Sequence, residues 1–168
     1  MTASTTLLPG TKLPLVCTYR NTVSGNGFVA KVEMRGRMLA VVDEDERVWI
    51  HAVLPAGWAE AGGTIAEAHA AFRQSYTAML YDLAEDAGTF TEFKAAVQAL
   101  ERASHPLLAS WKEAVQDMRP EWGDTLDLQI EPAGQMPYLK VSEVNSSEAS
   151  PQSNQLDPVL PALVKPAA

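Results

Sequence analysis

Hydrophobic and polar positions alternate with period two after a Gly/Asn loop at 24–27, and the segment before the loop is rich in residues that favour β-strands. In the segment after the loop, apolar side chains fall on one face and charged ones on the other. The apolar set is Phe28, Ala30, Val32 and Met34, and the charged set is Lys31, Glu33 and Arg35. This pattern predicts a β-hairpin from segments 15–23 and 28–34, with a break or bulge at 35–37. Further strands are predicted at 38–42, 47–54 and 57–61.

The segment 47–54 is apolar on both faces. Val48, Ile50, Ala52 and Leu54 share one face, and Trp49, His51 and Val53 share the other. A strand of this kind is usually covered on both sides. We expect one helix on the first face, and later helices, a second subunit or a partner on the second.

The pattern changes to a helical period at Thr64. Thr64 and Glu67 have the spacing of a capping box, in which the N-cap alone contributes about 1 kcal/mol. Apolar residues then recur every three or four positions, at Ile65, Ala68, Phe72, Tyr76, Met79 and Leu83. They predict one amphipathic helix of about 24 residues that ends near Gly88. A second capping box at Thr89 predicts another helix, and a third is expected between Pro106 and Pro120.

Beyond the helices, alternation at 126–131 predicts a return strand, and 138–144 is expected to pair with it across a turn at 132–134. Residues 145–168 contain four prolines and several serines, which predicts disorder. The alternative is a short docking segment, built from Leu156, Val159, Leu160, Leu163 and Val164. The expected organisation is a flexible lead at 1–11, one α+β domain at 12–144 and a disordered tail.

Composition limits the classes of protein that need consideration. The chain has 168 residues, of which 46% are apolar, and a single cysteine that cannot form an internal disulfide. With no apolar run long enough to span a bilayer and no secretory signal pattern, we expect a cytoplasmic protein. The net charge of −8 opposes nucleic-acid binding by the molecule as a whole, yet residues 1–37 carry five basic residues and one acidic residue. An uneven charge distribution of this kind is ordinarily a feature of the solvated surface. The more specific interpretation is that the acidic part of the chain binds a basic protein partner.

The stretch 43–68 resembles the core of the HicB-like antitoxin family. In that family an acidic or glycine turn precedes an aromatic strand, a Leu-Pro…Gly step, a short strand and a Thr-Ile-x-Glu-Ala helix start. The matching residues here are Trp49, Leu54, Pro55, Gly57, Gly62, Thr64, Ile65, Glu67 and Ala68. The resemblance covers about residues 38–87. It implies an α+β fold, in which an antiparallel β-meander packs against one long helix in a partial ribonuclease-H-like arrangement, with two additional helices and a return strand.

The resemblance also implies a function. Members of the family bind and neutralise a small, basic, RNA-cleaving toxin of the HicA-like type, and the acidic balance of this chain suits such a partner. We expect the contacts to involve the acidic turn, the exposed edge of the sheet and the second face of strand 47–54, because an uncovered apolar face generally marks an interface. The predicted partner-binding residues are Asp43, Glu44, Asp45, Glu46, Trp49 and His51. A homodimer is a further possible assembly.

Many members of that family append a DNA-binding module, and the proline-rich tail here carries too few basic residues for one. The alternative hypothesis is a nucleic-acid-binding regulator without a toxin, which uses Lys31, Arg35 and Arg37 of the basic hairpin.

Enzymatic chemistry is not expected. Four consecutive acids in a turn point in different directions, whereas two-metal nucleases need carboxylates that converge from separate strands. The three histidines lie 18 and 36 residues apart, far from metal-ligand spacing, and Cys17 is expected to be a buried thiol. We therefore predict no catalytic residue, no metal ligand and no cofactor.

Overall fold

A long antiparallel hairpin lies at the centre of the fold. The computed structural model describes residues 7–102, 104–145 and 160–167. Strands β1 (Lys12–Ser24) and β2 (Val29–Val42) pair along their full length, from Lys12 opposite Val41 to Ser24 opposite Val29. The turn between them contains Gly27 at φ 76°, a left-handed conformation that glycine adopts without steric cost.

The remaining strands extend the hairpin on both sides. Strand β3 (Val48–Leu54) pairs with residues 37–42 of β2, and β4 (Ala59–Gly62) pairs with β3. Strand β6 (Tyr138–Glu143) pairs with residues 30–35 on the same edge of β2. On the other side, β7 (Ala162–Lys165) pairs with β1, and β5 (Ile130–Pro132) lies parallel to β7. The main path of this seven-stranded mixed sheet is therefore β4-β3-β2-β1-β7-β5.

Helix α1 (Ile65–Asp86) closes one face of the sheet. Its N-cap Thr64 accepts a hydrogen bond from the Glu67 amide at 3.1 Å, as the capping pattern predicts. Its buried stripe is Ile65, Ala68, His69, Phe72, Tyr76, Leu80 and Ala84. A side chain at Gly62 would place its Cβ 2.5 Å from the backbone nitrogen of Ala68, so glycine allows α1 to pack closely on β4. Helix α2 (Phe90–Gln98) contributes Phe93 and Val97 to the same core.

The opposite face receives helix α3 (His105–Asp117). Trp111, Ala114 and Val115 of α3 are buried against a second, smaller cluster that includes Leu39 and Val53. The molecule is therefore an α+β structure in which helices cover both faces of one sheet. Among the described residues, three helices accompany α1, one more than predicted, because residues Glu121–Leu126 form the short helix α4.

Several predicted strands are corrected. Segments 28–34 and 38–42 belong to the single strand β2, since the bulge at Arg37/Met38 shifts only the pairing with β3. The expected strand at 126–131 begins only at Ile130, because Leu126 is the last residue of α4 and Asp127 ends that helix with a left-handed φ of 53°. Strand β6 pairs with β2, where 138–144 was expected to pair across the turn with the return strand.

The ends of the chain also differ from prediction. Disorder from residue 145 onwards is wrong for residues 162–165, which form β7 with Leu163 and Val164 buried. The docking-segment alternative describes this end better, although Leu156 and Val159 lie outside the described residues. Residues 1–6 of the predicted flexible lead are also outside them, whereas the Gly10 amide donates to the Val42 carbonyl at 2.8 Å.

Candidate interaction surface

The acidic turn between β2 and β3 is organised by its first residue. The Asp43 carboxylate accepts hydrogen bonds from the backbone amides of Asp45 and Arg47 and from the Trp49 indole, each at 2.9 Å. These hydrogen bonds stabilise the charged form and hold the pKa of Asp43 below its usual value of 3.8. Asp43 therefore shapes the turn, while Glu44, Asp45 and Glu46 remain exposed.

Trp49 and His51 lie side by side on the face of β3 that points away from α1. Their rings are stacked with centroids 6.4 Å apart, and the Arg47 guanidinium lies 5.8 Å from the Trp49 ring centroid. Both side chains are partly exposed, because α3 covers only the Val53 end of this face. Burial lowers the pKa of His51 below 6.5, so the imidazole is neutral at pH 7.

Small side chains border this aromatic pair. In the antiparallel register, Trp49 lies opposite Val41 on one side and Ala61 on the other, and His51 lies opposite Ala59. Directly paired residues share a face of the sheet, so these side chains form one continuous surface. We call it the aromatic platform, defined by Val41, Trp49, His51, Ala59 and Ala61. The exposed carboxylates of Glu44, Asp45 and Glu46 lie at its turn end.

The segment that contains the platform is predominantly acidic. Residues 43–101 contain eleven acidic and three basic side chains, and one of the basic ones is Arg47 beside Trp49. On the other face of the sheet, α1 adds the exposed acids Glu67, Asp82, Glu85 and Asp86. A flat, partly apolar surface bordered by carboxylates suits contact with a basic protein, since complementary charge speeds encounter and penalises wrong partners.

The alternative set of Lys31, Arg35 and Arg37 lies on the same side of the sheet, beyond α3, but each side chain has a partner within the chain. The Lys31 ammonium and the Arg20 guanidinium lie 3.3 and 3.2 Å from a Glu33 carboxylate oxygen. Arg35 pairs with Glu131, and Arg37 stacks 4.7 Å from the Trp111 ring centroid. Burial lowers the pKa of Arg37.

Two further residues lie on the same face of the sheet as this basic set. We call the region the polar half of the sheet face, and it contains Arg20, Lys31, Glu33, Arg35, Arg37, Tyr138 and Lys140. Tyr138 lies opposite Arg35 and Lys140 lies opposite Glu33 in the β2–β6 register. Neither residue is among the contacts predicted from the sequence. A strand is expected at 138–144, but nothing in the local sequence indicates that it pairs with β2.

The other candidate residues do not converge. His69 is buried at 1% exposure, His105 is exposed at the start of α3, and burial raises the pKa of the Cys17 thiol to about 12. Within residues 7–102, 104–145 and 160–167, no group of three or more His, Cys, Asp or Glu side chains is placed to hold a metal ion. In that same part of the chain, no helix is long and apolar enough to span a membrane.

Comparison of the chain with protein-family models, with curated proteins and with solved structures found no match. The aromatic platform, its acidic border and the polar half of the sheet face are therefore interpreted from their own chemistry.

Proposed function

We propose that this chain is a non-catalytic, HicB-like, antitoxin-type protein of the cytoplasm that binds and neutralises a small, basic, RNA-cleaving toxin. The proposal is supported by the sequence resemblance over residues 38–87. It is also supported by the placement of these residues in a strand meander under the single long helix α1. A protein that neutralises another needs a docking surface rather than a reacting group.

The observation that carries the proposal is the aromatic platform with its acidic border. Trp49 and His51 are partly exposed beside Ala59 and Ala61, and the turn that precedes Trp49 carries three exposed acidic residues. Tryptophan is enriched among interface residues that dominate binding energy, and charge around such a residue contributes mainly to rate and specificity. This surface therefore combines an apolar anchor with a field that attracts a basic partner.

The test begins with the tagged chain purified from its native host and identification of any bound protein below about 100 residues with a basic balance. The purified pair is then assayed for RNA cleavage, which the chain should suppress at equimolar ratio. Trp49→Ala is expected to weaken binding by about 2 kcal/mol or more, roughly 30-fold. The double variant Glu44→Lys, Asp45→Lys should slow association and reduce its salt dependence.

A matched control for the double variant is available on α3. Glu113 and Asp117 are exposed there and lie outside the acidic turn. Reversing both to lysine changes the net charge by the same amount, so an equal loss of association rate would show that only total charge matters. A bound partner without ribonuclease activity would contradict the proposal.

The second candidate function is nucleic-acid binding by the polar half of the sheet face. The observation in its favour is that Lys31, Arg35, Lys140 and Arg20 share one face of β1, β2 and β6. A gel shift that weakens with salt, and that Lys140→Glu abolishes, would support it. The absence of any shift at low salt would exclude it.

A further inference from the structure

The two ends of the main strand path are protected differently, and the outer edge of β6, which lies off this path, carries Lys140. At one end, β5 has three residues, ends in Pro132, and carries Glu131 in an ion pair with Arg35. At the other end, β4 contains Ala59, Glu60, Ala61 and Gly62, with neither proline nor lysine. In the described part of the chain, no strand pairs with the outer edge of β4. Short length, proline and charge are the usual features that prevent an edge strand from pairing with another chain. Strand β4 has fewer of these features than β5.

The hydrogen-bond pattern identifies which backbone groups of β4 are free to pair. The Ala52 amide donates to the Trp58 carbonyl at 2.9 Å. Hydrogen-bonded pairs alternate with non-bonded pairs along an antiparallel ladder, so Glu60 and Gly62 also bond inward to β3. The amides and carbonyls of Ala59 and Ala61 therefore point outward, away from β3.

The side chains next to this edge favour a basic strand. Ala59 and Ala61 share the platform face with Trp49 and His51, whereas Glu60 lies opposite Ile50 on the other face. A strand added beside β4 would present alternate side chains to these two faces. Apolar residues would contact the aromatic platform, and basic residues would lie near Glu60.

A second copy of this chain fits the edge poorly. Pairing two β4 strands would bring two Glu60 side chains together, and each copy carries a net charge of −8. Like charges on neighbouring strands are destabilising. A basic segment avoids both penalties.

We propose that β4 is the docking strand of the protein and that it receives an extended segment of the partner, with alternating apolar and basic residues, as an eighth strand of the sheet. This inference rests on the proposed function for the nature of the partner. The recognition mode is β-augmentation, in which the main chain supplies affinity and alternate side chains supply specificity.

The first measurement is amide hydrogen exchange on the full-length chain. In the free protein, the amides of Ala59 and Ala61 should exchange faster than those of Glu60 and Gly62, which bond to β3. The probe is an eight-residue peptide of alternating lysine and valine, with blocked ends. Its addition should slow exchange at Ala59 and Ala61 at least tenfold, and no change at these two amides would overturn the inference.

The second measurement compares variants in a titration with the same peptide. Ala61→Lys keeps the backbone but adds positive charge to the face that the segment must cover, so the Kd should rise at least tenfold. Ala61→Pro removes an outward amide without removing a β3–β4 hydrogen bond, and it should have a similar effect. Ala70→Lys, at an exposed position on α1, is the matched control and should leave the Kd within twofold.

The control peptide replaces each valine with proline, which keeps the charge and removes half of the strand's donors. Equal binding of the two peptides would overturn the inference, because attraction would then be purely electrostatic.

The proposed function and the docking strand can be contradicted independently of each other. If a toxin binds tightly and Ala61→Lys does not weaken it, the docking strand is wrong and the function stands. If the peptide protects Ala59 and Ala61 but no basic toxin exists, the docking strand stands and the function is wrong.

Discussion

The two faces of the sheet are covered in different ways, and the difference separates stability from recognition. One face is closed along its length by α1, with Phe72, Tyr76 and Leu80 fully buried. The other is covered by α3 only in its middle, around Leu39, Val53 and Val164. On either side of α3 it presents the aromatic platform and the polar half with its ion pairs. The first face holds the fold together, and the second leaves chemistry in reach of other molecules.

The largest expected effect is on the α1 face. Phe72 is 1% exposed and stacks on Tyr76 with ring centroids 5.9 Å apart. Phe72→Ala removes a buried ring and leaves a cavity, so the free energy of unfolding should fall by about 3–5 kcal/mol. Urea unfolding followed by circular dichroism measures it. Tyr138→Ala on the polar half, where the side chain is 49% exposed, should cost less than about 1 kcal/mol. Equal losses would contradict the division between the two faces.

The next effect concerns the attachment of α3. The Trp111 indole donates a hydrogen bond to the Leu15 carbonyl at 3.1 Å, and its ring lies under the Arg37 guanidinium. Trp111→Phe keeps most of the apolar contact but leaves a buried carbonyl without its donor and weakens the cation–π contact. We expect a loss of about 2 kcal/mol in the free energy of unfolding. The matched control is Trp122→Phe, whose partly exposed side chain should cost less. A loss as large as that of Phe72→Ala would show that α3 is as important to stability as α1.

The α1 face is also the part of the fold that the sequence predicts best. The capping pattern at Thr64 and the alternation in β2 are local signals, and both agree with the structure. The apolar stripe agrees from Ile65 to Tyr76, but further along α1 the buried residues are Leu80 and Ala84, where Met79 and Leu83 were expected. In a capping box, the Glu carboxylate also accepts a hydrogen bond from the amide of the N-cap residue. Here the Glu67 carboxylate accepts from the Gly63 amide instead, and the Glu92 carboxylate accepts from the Gly88 amide, in each case one residue before the N-cap.

The opposite face depends on contacts between residues distant in the sequence. Leu163 and Val164 lie in a segment whose prolines predict disorder, and they become ordered because β1 and β5 supply partners on both sides. Likewise, Tyr138 and Lys140 reach the polar half only through pairing with β2. Local patterns contain no information on such pairings.

The candidate site likewise combines features that local sequence predicts with features that only the folded structure reveals. The grouping of Glu44, Asp45, Glu46, Trp49 and His51 follows from a turn and an adjoining strand, so the sequence could identify it. The role of Asp43 as the acceptor that shapes the turn could not be separated from that of its neighbours. The outward amides of Ala59 and Ala61 require the β3–β4 register, which only the structure gives.

A smaller effect is expected in the polar half. The Arg35 side chain is 13% exposed and its ion partner Glu131 is 33% exposed. Glu131→Gln keeps an acceptor but removes the charge, and we expect the free energy of unfolding to fall by about 1 kcal/mol, between the values for exposed and fully buried pairs. Glu143→Gln, at an exposed position on β6, is the control and should be neutral. A loss above about 3 kcal/mol would mean that the polar half carries as much stability as the core.

The smallest effect is a pH dependence at the aromatic platform. Because burial lowers the pKa of His51 below 6.5, the unfolded chain takes up this proton at a higher pH than the folded chain. The stability that neutral His51 contributes is therefore fully present above about pH 6.5, and it is lost as the pH falls from 6.5 towards the folded pKa. An NMR titration of the imidazole Cε1–H gives that pKa directly.

His51→Gln removes the titrating group, so the stability of this variant should depend less on pH in the same window than that of the parent chain. The difference between the two pH profiles isolates His51 from the other groups that titrate there. A folded pKa of His51 at or above 6.5 would mean that water or a carboxylate reaches the ring. The platform would then carry a positive charge below neutral pH. In that case a basic partner would be repelled on acidification, and its Kd would rise as the pH falls from 7 to 5.5. With the pKa of His51 lowered as we expect, the rise in Kd should begin only below pH 6.5, which ties the chemistry of the platform to a binding measurement.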